Sequence, residues 1–339
     1  MVNMDKQHLN PDWREKQVVV TGAGGFIGSH LVERLVSEGA VVKAFVRYNS
    51  RGDPGHIRWL PASIQEKITL VAGDLRDHRS VHELLRGADI VFHLAALIGI
   101  PYSYVSPNDV VETNILGTLN VLNAVRDTGL QCMIHTSSSE VYGTAQYAPI
   151  DEAHPLQGQS PYSASKIGAD KLVESYHRSF GVPVATVRPF NTYGPRQSAR
   201  AVIPTIIAQA LTCDVIKLGS LEPRRDFTFV RDTVDGFIRV AASPACIGEV
   251  INIGSGVDVT VGEVVEQVRQ IIGRHVRVEL DDIRIRPAQS EVMRLVCDNH
   301  KAAQLAGWKP QVAPDTGLQE TIEWIAEHVR LYPVRSYAI

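Results

Sequence analysis

A short run of β-branched residues passes directly into a glycine-rich turn near the start of the chain. Gln17 to Val20 is followed by Thr-Gly-Ala-Gly-Gly-Phe-Ile-Gly, a segment that ends at Gly28. Ile27, Leu31 and Leu35 then recur at helical spacing. The pattern predicts a strand, a tight turn and a helix, and this unit restricts the fold more than any other stretch.

The glycines of this turn point to an anion site. Gly22 allows a tight turn, Gly25 allows the backbone to approach a pyrophosphate, and Gly28 allows the helix to pack closely on the strand. The N-terminus of the helix then faces the anion. We therefore predict that a dinucleotide binds here, with Phe26 and Ile27 among its contacts.

The second and third predicted strands each end near a charged residue. Val41 to Val46 runs into Arg47, where a fold that prefers NAD usually presents a carboxylate to the ribose 2′-hydroxyl. Arg47 could meet the 2′-phosphate of NADP instead, or it could be a solvated surface arginine. Ile68 to Val71 leads to Asp74 and Leu75, where the acid can meet the adenine edge or cap the next helix.

A fourth strand is predicted at Asp89 to Ala96, which is nearly all apolar, as expected for a parallel strand buried on both faces. Leu94, Ala95 and Ala96 are predicted cofactor contacts, because the two alanines leave room beside the ligand. His93 is interpreted as a core histidine with satisfied hydrogen bonds rather than as a catalytic group.

A hydroxyl cluster follows the fifth predicted strand, Met133 to Thr136. Ser138, Ser139 and Glu140 come directly after it, at the edge of the sheet where open parallel sheets bind their ligands. Asn108 to Asp127, between the fourth and fifth strands, has apolar residues at helical spacing and predicts a helix.

Tyr162 and Lys166 lie four residues apart in a helix predicted to start after Pro161. On one helix face the ammonium can approach the phenol and favour its ionised form. An isolated Tyr-x-x-x-Lys pattern can be a chance pair, but here it follows the hydroxyl cluster. We expect Tyr162 to act as a base, with Ser138 holding the substrate oxygen and Glu140 as a second acid or base.

The regular alternation of predicted strands and helices ends after the sixth predicted strand, Val184 to Arg188. A polar loop, Pro189 to Arg196, is expected to face the substrate. Further predicted strands are Val215 to Leu218, Phe227 to Val230, Ile251 to Ile253 and Val276 to Leu280; further predicted helices are Ile203 to Leu211, Thr260 to Ile272 and Asp315 to Val329. Pro223 to Asp226 is predicted as a loop. We expect a first domain of residues 14–188 with about 227–256, interleaved with a second of 189–226 and 257–332.

Charge and cysteine usage exclude several functions. With 34 basic and 37 acidic residues, the net charge of −3 predicts neither a nucleic-acid nor a membrane partner. The four cysteines form no Cys-x-x-Cys pair, so we expect reduced thiols and no metal site. The longest apolar run is too short for a bilayer, and we expect no signal peptide in the N-terminal residues. The expected location is the cytoplasm.

These motifs occur in one order along the chain and together resemble the extended short-chain dehydrogenase/reductases. The likeness rests on the glycine turn, Asp74, His93-Leu-Ala-Ala, Ser138, Tyr162-x-x-x-Lys166, Asn191-Thr-Tyr-Gly-Pro-Arg196, Arg225-Asp226-Phe and Gly307-Trp308. It implies an α/β fold, with a doubly wound parallel (Rossmann) sheet that binds NAD or NADP. It also implies a smaller, interleaved C-terminal α/β domain for a nucleoside diphosphate sugar, and a homodimer formed through helices near 108–127 and 161–180.

Within that superfamily the segment Ser137 to Gly143 resembles the sugar-nucleotide 4,6-dehydratases. Three further runs, Ala96 to Tyr104, Tyr147 to Glu152 and Pro189 to Arg200, look most like the dehydratases of legionaminic-acid biosynthesis, which act on GDP- or UDP-linked N-acetylglucosamine. One departure concerns Ser139, which stands where glucose-type dehydratases have an aspartate that protonates the leaving 6-hydroxyl. The resemblance then implies that Glu140 or a water supplies this proton.

The same resemblance leaves rival functions open. A UDP-glucuronate decarboxylase and a UDP-hexose 4-epimerase share the oxidation at C4, although an epimerase has no task for Glu140. A non-catalytic NAD(P)-binding sensor would be expected to have lost Tyr162 or Lys166. NAD is the expected cofactor, because a closed redox cycle does not need the NADP pool, but NADP is not excluded because of Arg47.

Four residues are candidates for binding the substrate in addition to Ser138. Asn191, Arg225 and Arg286 are expected to contact the diphosphate and ribose, since guanidinium groups bind phosphate oxygens well. Arg284 and Arg294 are close enough in sequence to replace Arg286. Arg200 is a further candidate, or a surface charge.

Overall fold

The computed structural model describes residues 12–284 and 291–334. Its strands are β1 Gln17–Thr21, β2 Val41–Arg47, β3 Ile68–Gly73, β4 Ile90–His93, β5 Cys132–Thr136, β6 Val184–Pro189, β7 Asn191–Tyr193, β8 Val215–Leu218, β9 Arg224–Phe229, β10 Val250–Ile253, β11 Asp258–Thr260, β12 Arg277–Leu280 and β13 Arg294–Leu295.

The helices alternate with these strands over most of the chain. They are α1 Phe26–Ser37, α2 Ala62–Gln65, α3 His78–Leu85, α4 Ile100–Val105, α5 Pro107–Val111, α6 Gly117–Thr128, α7 Pro161–Phe180, α8 Val202–Thr212, α9 Val230–Ala242, α10 Val261–Ile272, α11 His300–Ala306 and α12 Pro314–Glu327. A π-helical turn, Glu112–Leu116, joins α5 to α6, and a 3-10 turn, Ser139–Tyr142, follows β5.

Seven parallel strands form the large sheet, in the order β10-β6-β5-β4-β1-β2-β3. The chain reverses direction across the sheet between β1 and β4, so the carboxyl ends of these two strands flank a crevice. Along β1, Val18 and Val20 belong to one apolar core and Val19 to the other, because side chains of a strand alternate between faces. The predicted doubly wound α/β sheet is confirmed.

Local sequence signals explain the ends of the elements around the crevice. Ser160 caps α7 by accepting from the backbone N–H of Ser163, and Pro161 occupies its first turn. Gly181 and Gly129 end α7 and α6 with φ values of +66° and +68°, in the left-handed region that glycine adopts without strain. The predicted helix over Asn108 to Asp127 is present but contains the π-helical turn.

The second half of the chain contains two small sheets. One has the order β11-β9-β13, with β7 also paired to β9; the other pairs β12 with β8. Two loop predictions were wrong here, because Asn191 and the pair Arg224-Arg225 lie in β7 and β9, whose backbone groups bond to partner strands distant in sequence. Helix α9 was not predicted, and its apolar side packs on the large sheet.

Candidate active site

A cavity of about 760 Å³ lies at the carboxyl edge of the large sheet and contains most of the predicted site residues. The predicted residues that line it are Gly22, Gly25, Phe26, Ile27, Gly28, Arg47, Asp74, Leu75, Leu94, Ala95, Ala96, Ser138, Ser139, Glu140, Tyr162 and Asn191. One elongated site thus brings the glycine turn and the hydroxyl cluster together.

The glycine turn forms one end of this cavity from backbone alone. Gly22 has a φ of +71°, and a Cβ on it would lie 2.8 Å from the backbone nitrogen of Ala95. A Cβ on Gly28 would overlap the carbonyl of Gly22. Gly25, at the N-cap of α1, provides no side-chain cap, which leaves the first N–H groups of the helix for a ligand. These features fit the pyrophosphate of a dinucleotide.

Charged residues surround the neighbouring part of the cavity. Arg47 is exposed at the end of β2, and Asp74 follows β3. A hydrogen bond from Arg76, 2.6 Å from its Nη2 to the carboxylate, holds the pKa of Asp74 below its usual value. Asp77, not Asp74, caps α3 by accepting from the backbone of Arg79. Asp74 is therefore available to the cavity with its charge partly compensated.

A loop that was not predicted closes over the glycine turn. Asp53, Pro54 and Gly55 line the cavity, and the backbone N–H of His56 donates to the carbonyl of Gly24 at 2.8 Å. Gly55 has a φ of +67°, which explains a glycine at this point. The sequence Asp-Pro-Gly is itself a turn signal that could have located this contact.

Ser138, Glu140 and Tyr162 meet at the other end. Ser138 Oγ accepts from the backbone N–H of Glu140 at 3.2 Å and is also hydrogen-bonded to Tyr162. Burial raises the pKa of Tyr162 to about 12; the bond to Ser138 opposes this rise, and the nearby charge of Glu140 adds to it. The geometry places a phenol, a hydroxyl and a carboxylate on one cavity wall.

The expected lowering of the Tyr162 pKa is wrong for the protein on its own. Lys166 does not line the cavity; its Nζ donates to the carbonyl of Thr136 at 2.5 Å. Burial lowers the pKa of Lys166 to about 8, against the raising effect of Asp170. Burial of the phenol is thus the largest cause of the raised pKa of Tyr162.

Two further polar residues support this wall. Asn114, in the π-helical turn, accepts from the backbone N–H of Leu97 at 2.8 Å and donates to Ser165 Oγ at 2.9 Å. It thus joins the segment after β4 to the helix of Tyr162, a role that sequence reasoning missed. His93 is held by Thr21 at 2.8 Å and Thr118 at 3.1 Å, which confirms the interpretation as a core histidine.

The substrate candidates are not all at the cavity. Asn191 lines the cavity, and its buried side-chain oxygen has no hydrogen-bond partner among residues 12–284 and 291–334. Arg225 is 7% exposed and pairs with Glu291 at 3.1 Å, away from the lining. Arg200 lines a smaller neighbouring cavity and bonds Ser198. Arg286 lies outside the described residues.

Arg196, in the segment after β7, contacts the helix that follows the glycine turn. It has a φ of +68° and donates to His30 Nδ1 at 2.9 Å. His30 Nε2 lies 2.9 Å from the carbonyl of Pro195. Burial lowers the pKa of His30 to about 3, so the ring is neutral and donates from Nε2. These contacts hold α1 against the segment that follows β7.

The described ranges, 12–284 and 291–334, contain neither of two further features. Within them, no helix is long and apolar enough to cross a membrane. The same residues contain no group of three or more His, Cys, Asp or Glu side chains placed to hold a metal ion.

Comparisons with known proteins agree on one family, whose similar members are named for several different reactions. The family described as GDP-mannose 4,6 dehydratase matches residues 19–321. A UDP-glucose 4-epimerase of Mycolicibacterium smegmatis is 32% identical over 317 residues, which are 91% of this chain and 98% of that protein. A UDP-N-acetyl-alpha-D-glucosaminuronate decarboxylase of Bacillus cytotoxicus is 33% identical over 331 residues, 92% of this chain and 98% of that protein.

A solved structure agrees with this family. DesIV, a dTDP-glucose 4,6-dehydratase from Streptomyces venezuelae whose structure has NAD and TYD bound, is 30% identical, with a TM-score of 0.83 over 91% of this chain and 97% of that one. The fold, the glycine turn and the hydroxyl cluster with its Tyr-Lys pair agree with the family match. The chain is a member of the GDP-mannose 4,6-dehydratase-like family of NAD-dependent sugar-nucleotide epimerases and dehydratases.

Proposed function

We propose that this enzyme is a sugar-nucleotide 4,6-dehydratase that converts a nucleoside diphosphate hexose to its 4-keto-6-deoxy form. The observation that carries the proposal is the position of Glu140, which lines the cavity beside Ser138 and Tyr162. Oxidation at C4 alone needs the tyrosine and a hydroxyl. A carboxylate next to them provides the base that an elimination also requires.

The cofactor end supports NAD. The glycine turn and the uncapped start of α1 fit a pyrophosphate, and the similar DesIV structure contains NAD. A bound nicotinamide would accept hydride from C4 and later return it to C6. NADP stays an alternative because Arg47 lines the cavity where a 2′-phosphate could bind.

The chain's own residues account for the proton steps. Ser138 binds the 4-hydroxyl, and Tyr162 accepts its proton. Because the raised pKa of Tyr162 opposes this step, a positive charge brought by bound ligand, together with Lys166, is required to ionise it. The resulting 4-ketone acidifies C5, and Glu140 removes the C5 proton. Ser139 carries no acidic group, so Glu140 passes this proton to the leaving 6-hydroxyl, which departs as water. When hydride returns to C6, a proton from solvent enters at C5, and Tyr162 releases the 4-hydroxyl proton to solvent.

The substrate is proposed to be UDP- or GDP-N-acetylglucosamine. Asn191, with its unpaired buried oxygen, is positioned to bind the sugar nucleotide within the cavity, while contacts from Arg200, Arg225 and Arg286 stay predictions. A homodimer through α5, α6 and α7 also stays a prediction. Exposed apolar side chains on these helices and the turn between them support it, namely Val111, Leu116 and Phe180.

Glu140→Gln tests the proposal. We expect the variant to reduce its cofactor when substrate is added but to release at least ~10²-fold less product, as for loss of a general base. Rapid absorbance measurement of reduced nicotinamide and NMR of the product separate the two steps. Glu174→Gln, a half-exposed residue of α7 that pairs with Lys171, is the matched control and should turn over normally. Normal turnover by Glu140→Gln would exclude Glu140 from the mechanism.

A further inference from the structure

A buried ion pair lies beneath the catalytic wall and takes no part in the steps described above. Asp170 is on α7, one turn beyond Lys166, and is 5% exposed. Its carboxylate accepts from Ser137 Oγ at 2.8 Å and from His135 Nε2 at 3.2 Å. Asp170 therefore ties the helix of Tyr162 to the end of β5.

Arg188 completes the pair from the neighbouring strand β6. Its Nη2 and Nε donate to Asp170 at 2.8 and 3.2 Å, and its Nη1 donates to the hydroxyl of Tyr142 at 3.0 Å. The guanidinium also lies 5.0 Å from the centre of the Tyr142 ring. Tyr142 is fully buried and donates in turn to Asn252 on β10 at 2.7 Å. The network thus spans three strands and α7.

The network holds the segment Ser138 to Glu140 from both sides in sequence. Ser137 immediately precedes Ser138, and Tyr142 follows Glu140 by two residues in the same 3-10 turn. On the opposite side, Asp170 shares α7 with Tyr162 and Lys166. The network is therefore a direct connection between the segment that holds Ser138 and Glu140 and the helix that holds the tyrosine.

The chemistry of the pair argues for a role in geometry. Burial alone would raise the pKa of Asp170, but the hydrogen bond from His135 and the charge of Arg188 lower it to about 2, so both partners are ionised. A buried ion pair contributes little net stability compared with apolar residues of similar volume. What it does provide is directional bonding, since each partner holds several groups at fixed positions.

We propose that Asp170, Arg188 and Tyr142 are positioning residues that hold the Ser138–Glu140 turn against Tyr162 and Lys166. Within this unit, the Tyr142 hydroxyl fixes the placement of Glu140. This inference rests on the proposed dehydration, because it concerns the step in which Glu140 removes the C5 proton. Displacement of Glu140 slows that step and leaves the oxidation at C4 nearly intact.

Tyr142→Phe tests the proposal with a minimal change. It removes the hydroxyl between Arg188 and Asn252 and keeps the buried ring. We expect kcat to fall ~10-fold, a part of the ~10²–10⁴-fold that a general base provides. KM should stay within about twofold, because ground-state binding is unaffected. Reduced nicotinamide should accumulate, and the isotope effect with C5-deuterated substrate should increase.

Tyr147→Phe is the matched control. Its hydroxyl bonds Asp151 at 2.7 Å, and the residue is 44% exposed, so kcat and the isotope effect should equal those of the native enzyme. Arg188→Lys is the second variant; because it disturbs the bonds to both Asp170 and Tyr142, it should lower kcat at least as much as Tyr142→Phe does. The proposal is overturned if Tyr142→Phe leaves kcat and the isotope effect unchanged. It is also overturned if both chemical steps slow equally.

The product of the native enzyme separates this inference from the proposed function. A 4-keto-6-deoxy product with an unaffected Tyr142→Phe variant overturns only the positioning role. A 4-epimer or a pentose as the native product overturns the proposed dehydration itself, before any variant is measured.

Discussion

The two ends of the central cavity are built in different ways. At the cofactor end, Gly22 and Gly28 shape the wall, and the contacts are between backbone atoms close in sequence or in adjacent strands. At the catalytic end, Tyr142 and Arg188 hold the wall through side-chain hydrogen bonds that extend to Asn252. Substitutions that add side-chain atoms should therefore disrupt the cofactor end. Substitutions that remove hydrogen-bonding groups should disrupt the catalytic end.

The largest effect is expected at the catalytic end. Asp170→Asn leaves the Arg188 guanidinium buried without its counter-charge, and we expect the free energy of unfolding to fall by about 3 kcal/mol or more. Urea unfolding at neutral pH measures this. Asp127→Asn, an exposed partner of Arg126, should change it by less than about 0.5 kcal/mol. A similar small loss for Asp170→Asn would contradict the importance of the pair.

Unfolding of the native protein and of Asp170→Asn, measured as the pH is lowered, tests whether the charge of Asp170 causes the loss of stability. The pKa of Asp170 is lowered to about 2 in the folded chain, from a usual 3.8. Its ionised form thus stabilises the native protein above about pH 4, and this stability is lost as pH falls towards about 2. The difference between native protein and Asp170→Asn should shrink over that window. A difference independent of pH would exclude the carboxylate charge as its cause.

An effect of up to about the same size is expected from an added methyl group at the cofactor end. Gly22→Ala places a Cβ against Ala95 at a φ of +71°, whereas Gly129→Ala has nearly the same φ and no atom within 4 Å. Both variants should lose ~1–2 kcal/mol through backbone strain, and Gly22→Ala a further ~1–3 kcal/mol through overpacking. Calorimetry should show weaker NAD⁺ binding for Gly22→Ala alone. Equal NAD⁺ binding by the two variants would contradict a close approach of the dinucleotide to the backbone at Gly22.

The strand, turn and helix around the glycines were predicted from the sequence because their signals are local. The glycine turn, the helix after it and the strand before it are read from spacing within about twenty residues. The helix of Tyr162 and Lys166 was predicted for the same reason. Arg224 and Arg225 were misplaced in a loop because their strand is defined by backbone pairing with β7 and β11.

The catalytic end could be predicted only in part. Tyr162, Ser138 and Glu140 were identified as residue types in a known order, but their support comes from residues far along the chain, such as Asn252. The raised pKa of Tyr162 depends on burial, which no local pattern records. Asn114 was missed because its role depends on a π-helical turn within a regular helical pattern.

The smallest effect concerns the charge at the cofactor end. Arg47 is exposed, so Arg47→Ala should weaken NADP⁺ binding by no more than about fivefold, as for a surface ion pair of up to about 1 kcal/mol. NAD⁺ binding should stay within about twofold. Titration calorimetry with both dinucleotides measures this, with Arg51→Ala as the neighbouring control. An equal loss for both dinucleotides would show that Arg47 does not contact a 2′-phosphate.

The most direct test of the account is the product formed by the native enzyme in deuterated water. UDP- and GDP-N-acetylglucosamine are incubated separately with the enzyme and followed by proton NMR. If Glu140 removes the C5 proton and C6 loses its hydroxyl, a new 6-methyl signal appears, and its doublet collapses because deuterium enters at C5. A product that keeps its 6-hydroxyl, with a 4-epimeric sugar and no deuterium at C5, would contradict the assignment of this site to dehydration.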